Sequence, residues 1–200
     1  MKLVSTPRIE FLRSLTTEIL HNYGRGRQIV AVGGNESSGR TAFADDLAAV
    51  FDESEQPVFR ASLRYFQRSR AAQDAFGPPS AERFYRHAYD YQTLRRVLID
   101  PFRMGVATGF VTAQWDPDRD TWIEPTWLTS PVDATLIIDG EFINRRELHG
   151  LWAYSIRIDS EPETEADRLY LEEANPRSVV SALIDNSDPS LPRRLFLDSC

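Results

Sequence analysis

Cysteine is nearly absent: the one cysteine, Cys200, is the final residue. An intrachain disulfide is therefore excluded, and so is a zinc site built on thiolates. No apolar run approaches the roughly 18 residues that a membrane-spanning helix needs. The segment Met1 to Glu10 lacks the basic start and apolar stretch of a secretory signal. A reducing, cytoplasmic setting without a membrane partner is the expectation. Excess positive charge is missing too, since the formal net charge is −7. A surface that neutralises nucleic-acid phosphates is therefore not expected. Arg64, Arg68 and Arg70 form a local basic cluster that reads as a solvated face, with a phosphate or substrate contact left open.

What the chain does have is an ordinary globular composition, 42% apolar and 26% charged over 200 residues. That length predicts one domain, 1–200, with a substantial core. Phe11, Leu12, Leu15, Ile19 and Leu20 recur at helical spacing after Pro7, which suits a first turn. Gln28 to Val32 is a short apolar run of strand type, and Thr41 to Phe51 is an amphipathic helix. Pro57 to Ala61 predicts a second strand. Arg64 to Ser80 is polar and predicts a surface loop with a broken helix. Tyr91 to Asp100 predicts a helix with Asp90 as N-cap and Pro101 beyond its end. Val106 to Trp115 reads as a strand pair or an extended arm. Further strands are expected at Ala134–Gly140, around Trp152–Ile158, and at Val179–Asp185, ahead of a tail holding Pro189 and Pro192. Strands alternating with helices predict an α/β fold, a three-layer sandwich around a mainly parallel sheet. Ligands in such folds sit at the carboxyl ends of the strands.

One motif lies at such an end. Gly34–Asn35–Glu36–Ser37–Ser38–Gly39–Arg40–Thr41 fits Gly-x4-Gly-Lys-Ser/Thr at every fixed position but one, with Arg40 in place of lysine. The motif falls between a strand and an amphipathic helix, which aims backbone N–H groups and a helix N-terminus at an anion. Gly34, Ser37, Ser38, Gly39, Arg40 and Thr41 are the candidate nucleotide-binding residues. Arginine keeps the charge of lysine but is bulkier and forked, so the exchange is not conservative at a tight site. Thr41 and Asp139 are the candidate Mg²⁺ ligands. A glycine turn kept only for its shape is the competing reading.

Taken together, these elements resemble the uridine kinase-like branch of P-loop kinases. The resemblance spans nearly the whole chain. It rests on Ile29–Val32 with its loop, Arg60–Ala61–Ser62 before Phe66, Phe84–Tyr85–Arg86 leading to Tyr89–Asp90, and Leu94–Arg95–Arg96 to Asp100–Pro101. It continues through Thr112–Ala113, Trp115–Asp116 with Asp120, Leu136–Gly140, Glu147–Trp152, and Ile184–Pro189. The resemblance implies ATP and Mg²⁺ as cofactors and a nucleoside-like hydroxyl as phosphoryl acceptor.

Three departures stand out. Arg64 and Tyr65 occupy the places of the family's acidic pair, one member of which is the catalytic base. Arginine cannot accept that proton, and tyrosine is a poor base near neutral pH. His87 stands where an acidic residue is common. The basic, arginine-bearing lid is missing, and the acidic run Asp159 to Glu165 passes almost directly to Arg168–Leu171. Three functions stay open. One is a nucleotide-binding protein with reduced or absent transfer. Another is an active kinase in which Asp116, Asp139 or Glu141 takes over. The third is an interaction protein that keeps only the fold. Trp115, Trp122 and Trp127, with Tyr85, Tyr89 and Tyr91, suggest stacking on a base or a protein partner. Homo-oligomerisation is also open.

Overall fold

The computed structural model describes residues 2–105 and 107–196. Met1, Cys200 and Val106, the first residue of the expected arm, lie outside them. In chain order the elements are α1 (Pro7–Tyr23), β1 (Gln28–Gly33), α2 (Arg40–Glu53), β2 (Val58–Ser62), α3 (Arg70–Asp74), α4 (Ala81–His87) and α5 (Tyr91–Leu94). A wider turn, Arg95–Ile99, joins α5 to α6 (Asp100–Met104). Then come β3 (Trp115–Asp116), β4 (Thr121–Trp122), β5 (Thr135–Gly140), β6 (Tyr154–Asp159), α7 (Glu165–Ala174), α8 (Pro176–Val179), β7 (Ala182–Asp185) and β8 (Arg193–Leu195).

Six strands form one sheet in the order β2-β5-β1-β6-β7-β8, parallel except for β8, and β3 and β4 make a separate hairpin. The expected α/β architecture with a mainly parallel sheet is therefore present. Side chains alternate across each strand, and both faces are buried. Ile29, Ala31, Leu136 and Ile138 enter one core with Phe66, Leu98, Phe102 and Phe142. Val30, Val32, Ile137, Ile156 and Ile158 enter the other, under α1 and α2. Burying each such side chain contributes about 1.5–3 kcal/mol, whereas an exposed ion pair gives about 0–1 kcal/mol. The two apolar layers, not the surface charges, hold the sheet.

The predicted helix boundaries need one correction. The helix that begins at Tyr91 does not stop before Pro101 but runs on to Met104. Proline lacks an N–H and crowds the carbonyl four residues back. The chain answers by widening into a π-helical turn over Arg95–Ile99, where the Asp100 N–H reaches the Arg95 carbonyl. The carbonyl that Pro101 leaves without a helical donor, that of Val97, accepts the Val111 N–H at 3.0 Å. Several elements go beyond the sequence reading, among them α4, β4 and α8. The acidic run ends in α7, which opens on a reciprocal cap between Thr164 and Asp167. The proline-containing tail adds the antiparallel edge strand β8.

Strand parity positions the site. On β5, Asp139 shares a face with Ile137, the face covered by α2. On β2, Arg60 is in register with Ile137 and Ser62 with Asp139, which puts both on that same face. Gly140 follows, and a Cβ there would lie 2.5 Å from the Leu63 Cβ. Gly140→Ala is expected to lower stability by about 1–3 kcal/mol through overpacking, measured by urea unfolding. An unchanged midpoint would show that Leu63 gives way freely.

Candidate functional site

The loop between β1 and α2 is a short turn of 3-10 helix, Glu36–Ser38, closed by Gly39 in the left-handed region at φ 75°. A Cβ at Gly39 would also lie 2.9 Å from Asn186 Nδ2, the group that donates to the Ser38 carbonyl at 3.1 Å. Asn186 is held in turn by Arg8, whose Nη1 donates to its Oδ1 at 3.0 Å. Beyond Gly39, α2 points the free N–H groups of its first turn at the carboxyl end of the sheet.

Arg40 lies back along the loop rather than out of it. Its Nη1 donates to the Gly34 carbonyl at 3.1 Å, and its Nε is 3.9 Å from Asp139 Oδ2. The same guanidinium is 3.9 Å from Glu141. Nε is buried without a hydrogen-bond partner among the described residues, so the loop holds a cation with a donor to spare. That is the chemistry an anionic ligand would meet.

Thr41 and Asp139 are brought together: the threonine hydroxyl donates to Asp139 Oδ2 at 2.9 Å. The carboxylate, 1% exposed, has further partners that sequence reasoning missed. Arg60 Nη2 donates to its Oδ1 at 2.9 Å, and Ser62 donates to Oδ2 at 3.3 Å. An Mg²⁺ ion would rely on Thr41 and Asp139, yet that carboxylate already carries two hydroxyl bonds and a guanidinium, with Arg40 a second cation beside it. The phosphate side of the loop fits an anion; the Asp139 environment does not fit a resident dication.

Other loop groups are tied to the acidic run after β6. Asn35 Nδ2 donates to the Glu161 carbonyl at 2.8 Å, and the Ser37 hydroxyl donates to the Glu163 carboxylate. Ser38 turns inward and donates to the Asn35 carbonyl at 2.8 Å. Thus a carboxylate stands against the loop where the resemblance leads one to expect a basic lid, and Arg168 pairs with Glu165.

Beside the loop opens a cleft of about 700 Å³, lined among others by Glu36, Arg40, Arg64, Gln67, Tyr89 and Glu141. Arg64, in the place of the expected base, is bound to Asp118. Glu141 accepts a hydrogen bond from the Tyr89 hydroxyl at 2.9 Å. Burial raises its carboxyl above the usual range, against the lowering pull of Arg40 and Tyr89. Asp116 is not brought to this group: its Oδ1 accepts the Asp118 and Arg119 N–H groups and closes the β3–β4 turn. His87 stacks on Phe76, with ring centroids 4.1 Å apart. A second cavity of about 250 Å³ is lined by Gln67, Asp90, Gln114, Trp115 and Trp122. Gln114 Oε1 and Trp115 Nε1 are buried there without hydrogen-bond partners among the described residues. Of the remaining aromatics, Tyr85 and Tyr89 are in the core and Trp127 is exposed.

The overall arrangement has close counterparts among solved structures. A protein described as a possible uridine kinase from Bacillus stearothermophilus superposes with a TM-score of 0.76. It is 22% identical, and the match covers 89% of this chain and 97% of that one. A candidate fructose transport system kinase from Silicibacter sp. TM1040 gives 0.62 at 19% identity, covering 90% and 86%. The chain has the uridine kinase-like P-loop fold. No protein-family model matches it, and no curated protein matches its sequence. Within this P-loop fold, the loop motif and Asp139 were legible in advance, whereas Arg60 was not. Its role depends on the pairing of β2 with β5, which no local pattern reveals.

Burial of Glu141 has a thermodynamic signature. Its folded carboxyl binds protons more tightly than the unfolded one, so its contribution to stability falls as pH rises above about 4.5 and through the raised folded value. Glu141→Gln, which keeps an acceptor for Tyr89, is expected to flatten that decline and to be the more stable protein at pH 7. Denaturation midpoints across pH 4–8 measure it, and parallel profiles for the two proteins would refute it.

Proposed function

We propose that the protein binds a nucleoside triphosphate through the loop Gly34–Thr41 and that its phosphoryl-transfer capacity is reduced or absent. One observation carries the first half. Arg40 is a half-buried cation whose Nε is buried and unused, set in a glycine-closed loop at the N-terminus of α2. In this reading the loop N–H groups, Ser37 and Arg40 hold the phosphates, and Thr41 orients the chain of the polyphosphate from the first turn of α2. ATP is the expected nucleotide, by similarity to the kinase-like neighbours.

The second half is supported by what faces the loop. Transfer needs a group to take the acceptor proton and charges that close over the phosphates. In the place of the expected base the cleft offers Arg64, already paired with Asp118, its Glu141 carboxylate is engaged by the Tyr89 hydroxyl, and the covering segment offers Glu163. Loss of a general base costs about 10²–10⁴ in rate, and loss of an arginine that meets transition-state charge costs about 10³–10⁵. A slow transfer to a bound nucleoside-like molecule is the second reading. The smaller cavity favours it, because its buried Gln114 acceptor and Trp115 donor match an amide-bearing ring.

Calorimetric titration with ATP tests the proposal. Micromolar binding is expected, with Arg40→Ala weakening it by at least about tenfold. Undiminished binding in the variant would remove the loop from the account. No heat, together with no thermal stabilisation at millimolar ATP, would overturn nucleotide binding altogether. Phosphorylation of uridine at about 1–100 s⁻¹, the usual kinase range, would overturn the reduced-transfer half.

A further inference from the structure

Phosphate loops ordinarily recruit a magnesium ion, held by the loop hydroxyl and a nearby carboxylate together with the phosphates themselves. In this chain the carboxylate is committed elsewhere. Arg60 is anchored at every nitrogen. Nε and Nη2 donate to Asp45 at 2.9 and 2.8 Å, Nη1 donates to the Ala61 and Ile137 carbonyls at 2.9 Å each, and Nη2 also reaches Asp139 at 2.9 Å. A guanidinium fixed by five contacts is not free to swing aside for an ion. On the opposite oxygen Asp139 accepts from Thr41 and Ser62, with Arg40 Nε at 3.9 Å. The carboxylate is 1% exposed, so these charges interact with little screening by solvent.

A dication seated on Asp139 would therefore meet a carboxylate whose oxygens are already taken by Arg60, Thr41 and Ser62, with Arg40 beside it. The alternative is simpler. Arg40 brings to the loop a guanidinium whose buried Nε has no hydrogen-bond partner among the described residues, so a polyphosphate meets a cation there without recruiting metal. We infer that the loop takes its nucleotide as the metal-free anion, with the Arg40 guanidinium supplying charge that Mg²⁺ supplies elsewhere and Arg60 holding Asp139 away from the ion. This rests on the nucleotide-binding reading above and specifies the ionic form of the ligand. It also bears on transfer. A site that does not bring in Mg²⁺ lacks the ion that neutralises charge developing between the β- and γ-phosphates.

The test is titration of the full chain with ATP, once in metal-free buffer containing EDTA and once with millimolar Mg²⁺. The two dissociation constants are expected to agree within about threefold, or to favour the metal-free condition. Tightening by Mg²⁺ beyond that margin overturns the inference while leaving nucleotide binding intact. Absence of binding in both conditions overturns the nucleotide reading, and the inference with it. Arg60→Gln provides the second arm, because it removes the guanidinium from Asp139 while keeping hydrogen-bonding capacity. In that variant, shown to be folded by its thermal transition, Mg²⁺ is expected to tighten ATP binding by at least about fivefold. A folded variant that stays indifferent to Mg²⁺ would show that Arg60 is not what excludes the ion. Should Arg60→Gln not fold, the comparison with and without EDTA on the unaltered chain still decides the matter.

Discussion

The buried carboxylate of Asp139 is the point at which the sheet, the loop and α2 are tied to one another. It ends the apolar run of β5, takes the Thr41 hydroxyl from the first turn of α2, and takes Arg60 and Ser62 from β2. An uncompensated charge at such depth costs about 3–5 kcal/mol, a large share of the 5–15 kcal/mol that stabilises a typical domain. The arginine is therefore a condition of having the aspartate there at all. A residue held under that condition has little freedom left for chemistry. Its partners were chosen by the need to satisfy it in the folded chain, and the same partners decide which ions it is able to accept.

Similar self-sufficiency runs through the loop. Asn35, Ser37 and Ser38 each have a partner within the protein, and Arg40 has Gly34. An incoming phosphate competes with these contacts rather than filling a gap, and it does so beside Glu36, Glu161 and Glu163. The N-terminus of α2 and the spare donor of Arg40 favour the anion, while the neighbouring carboxylates oppose it. Neither side dominates by inspection, because exposed charges interact weakly in water. Arg40 favours binding most, since its Nε is buried and its interaction with a phosphate is the least screened of the set.

Much of this was legible in the sequence, and the limits have physical causes. Apolar runs of strand length beside helical periodicities located β1, β2, β5 and α2, because those patterns follow from the two backbone repeats alone. The loop and Asp139 followed from spacing. Arg60 did not, because its partner is set by which strands become neighbours, and β2 pairs with β5, where Thr135 lies 77 residues after its register partner Val58. Helix α7 was missed although its signal was present: Thr164 and Asp167 stand at capping-box spacing within a run dominated by acidic charge. Pro101 misled for a different reason. A stop signal is local, whereas the hydrogen bond that rescues the Val97 carbonyl comes from Val111, outside the helix.

Fold and chemistry are separate questions in this chain. A TM-score of 0.76 at 22% identity means that the backbone path survives where most side chains differ, and fold by itself does not carry function. The charged side chains at the site are coupled. Arginine at position 40 is longer and forked, so it needs acceptors that a lysine would not, and it lies between Gly34, Asp139 and Glu141. Glu141 in turn would be a poorly solvated acid without Arg40, and burial still raises its carboxyl despite that neighbour. Each residue makes the other tolerable in the cleft. Replacing Arg40 alone with lysine would therefore leave the Glu141 carboxyl and the Arg60–Asp139 pair in place beside the loop. The altered site is a set of mutually dependent charges, and its ligand preference belongs to the set.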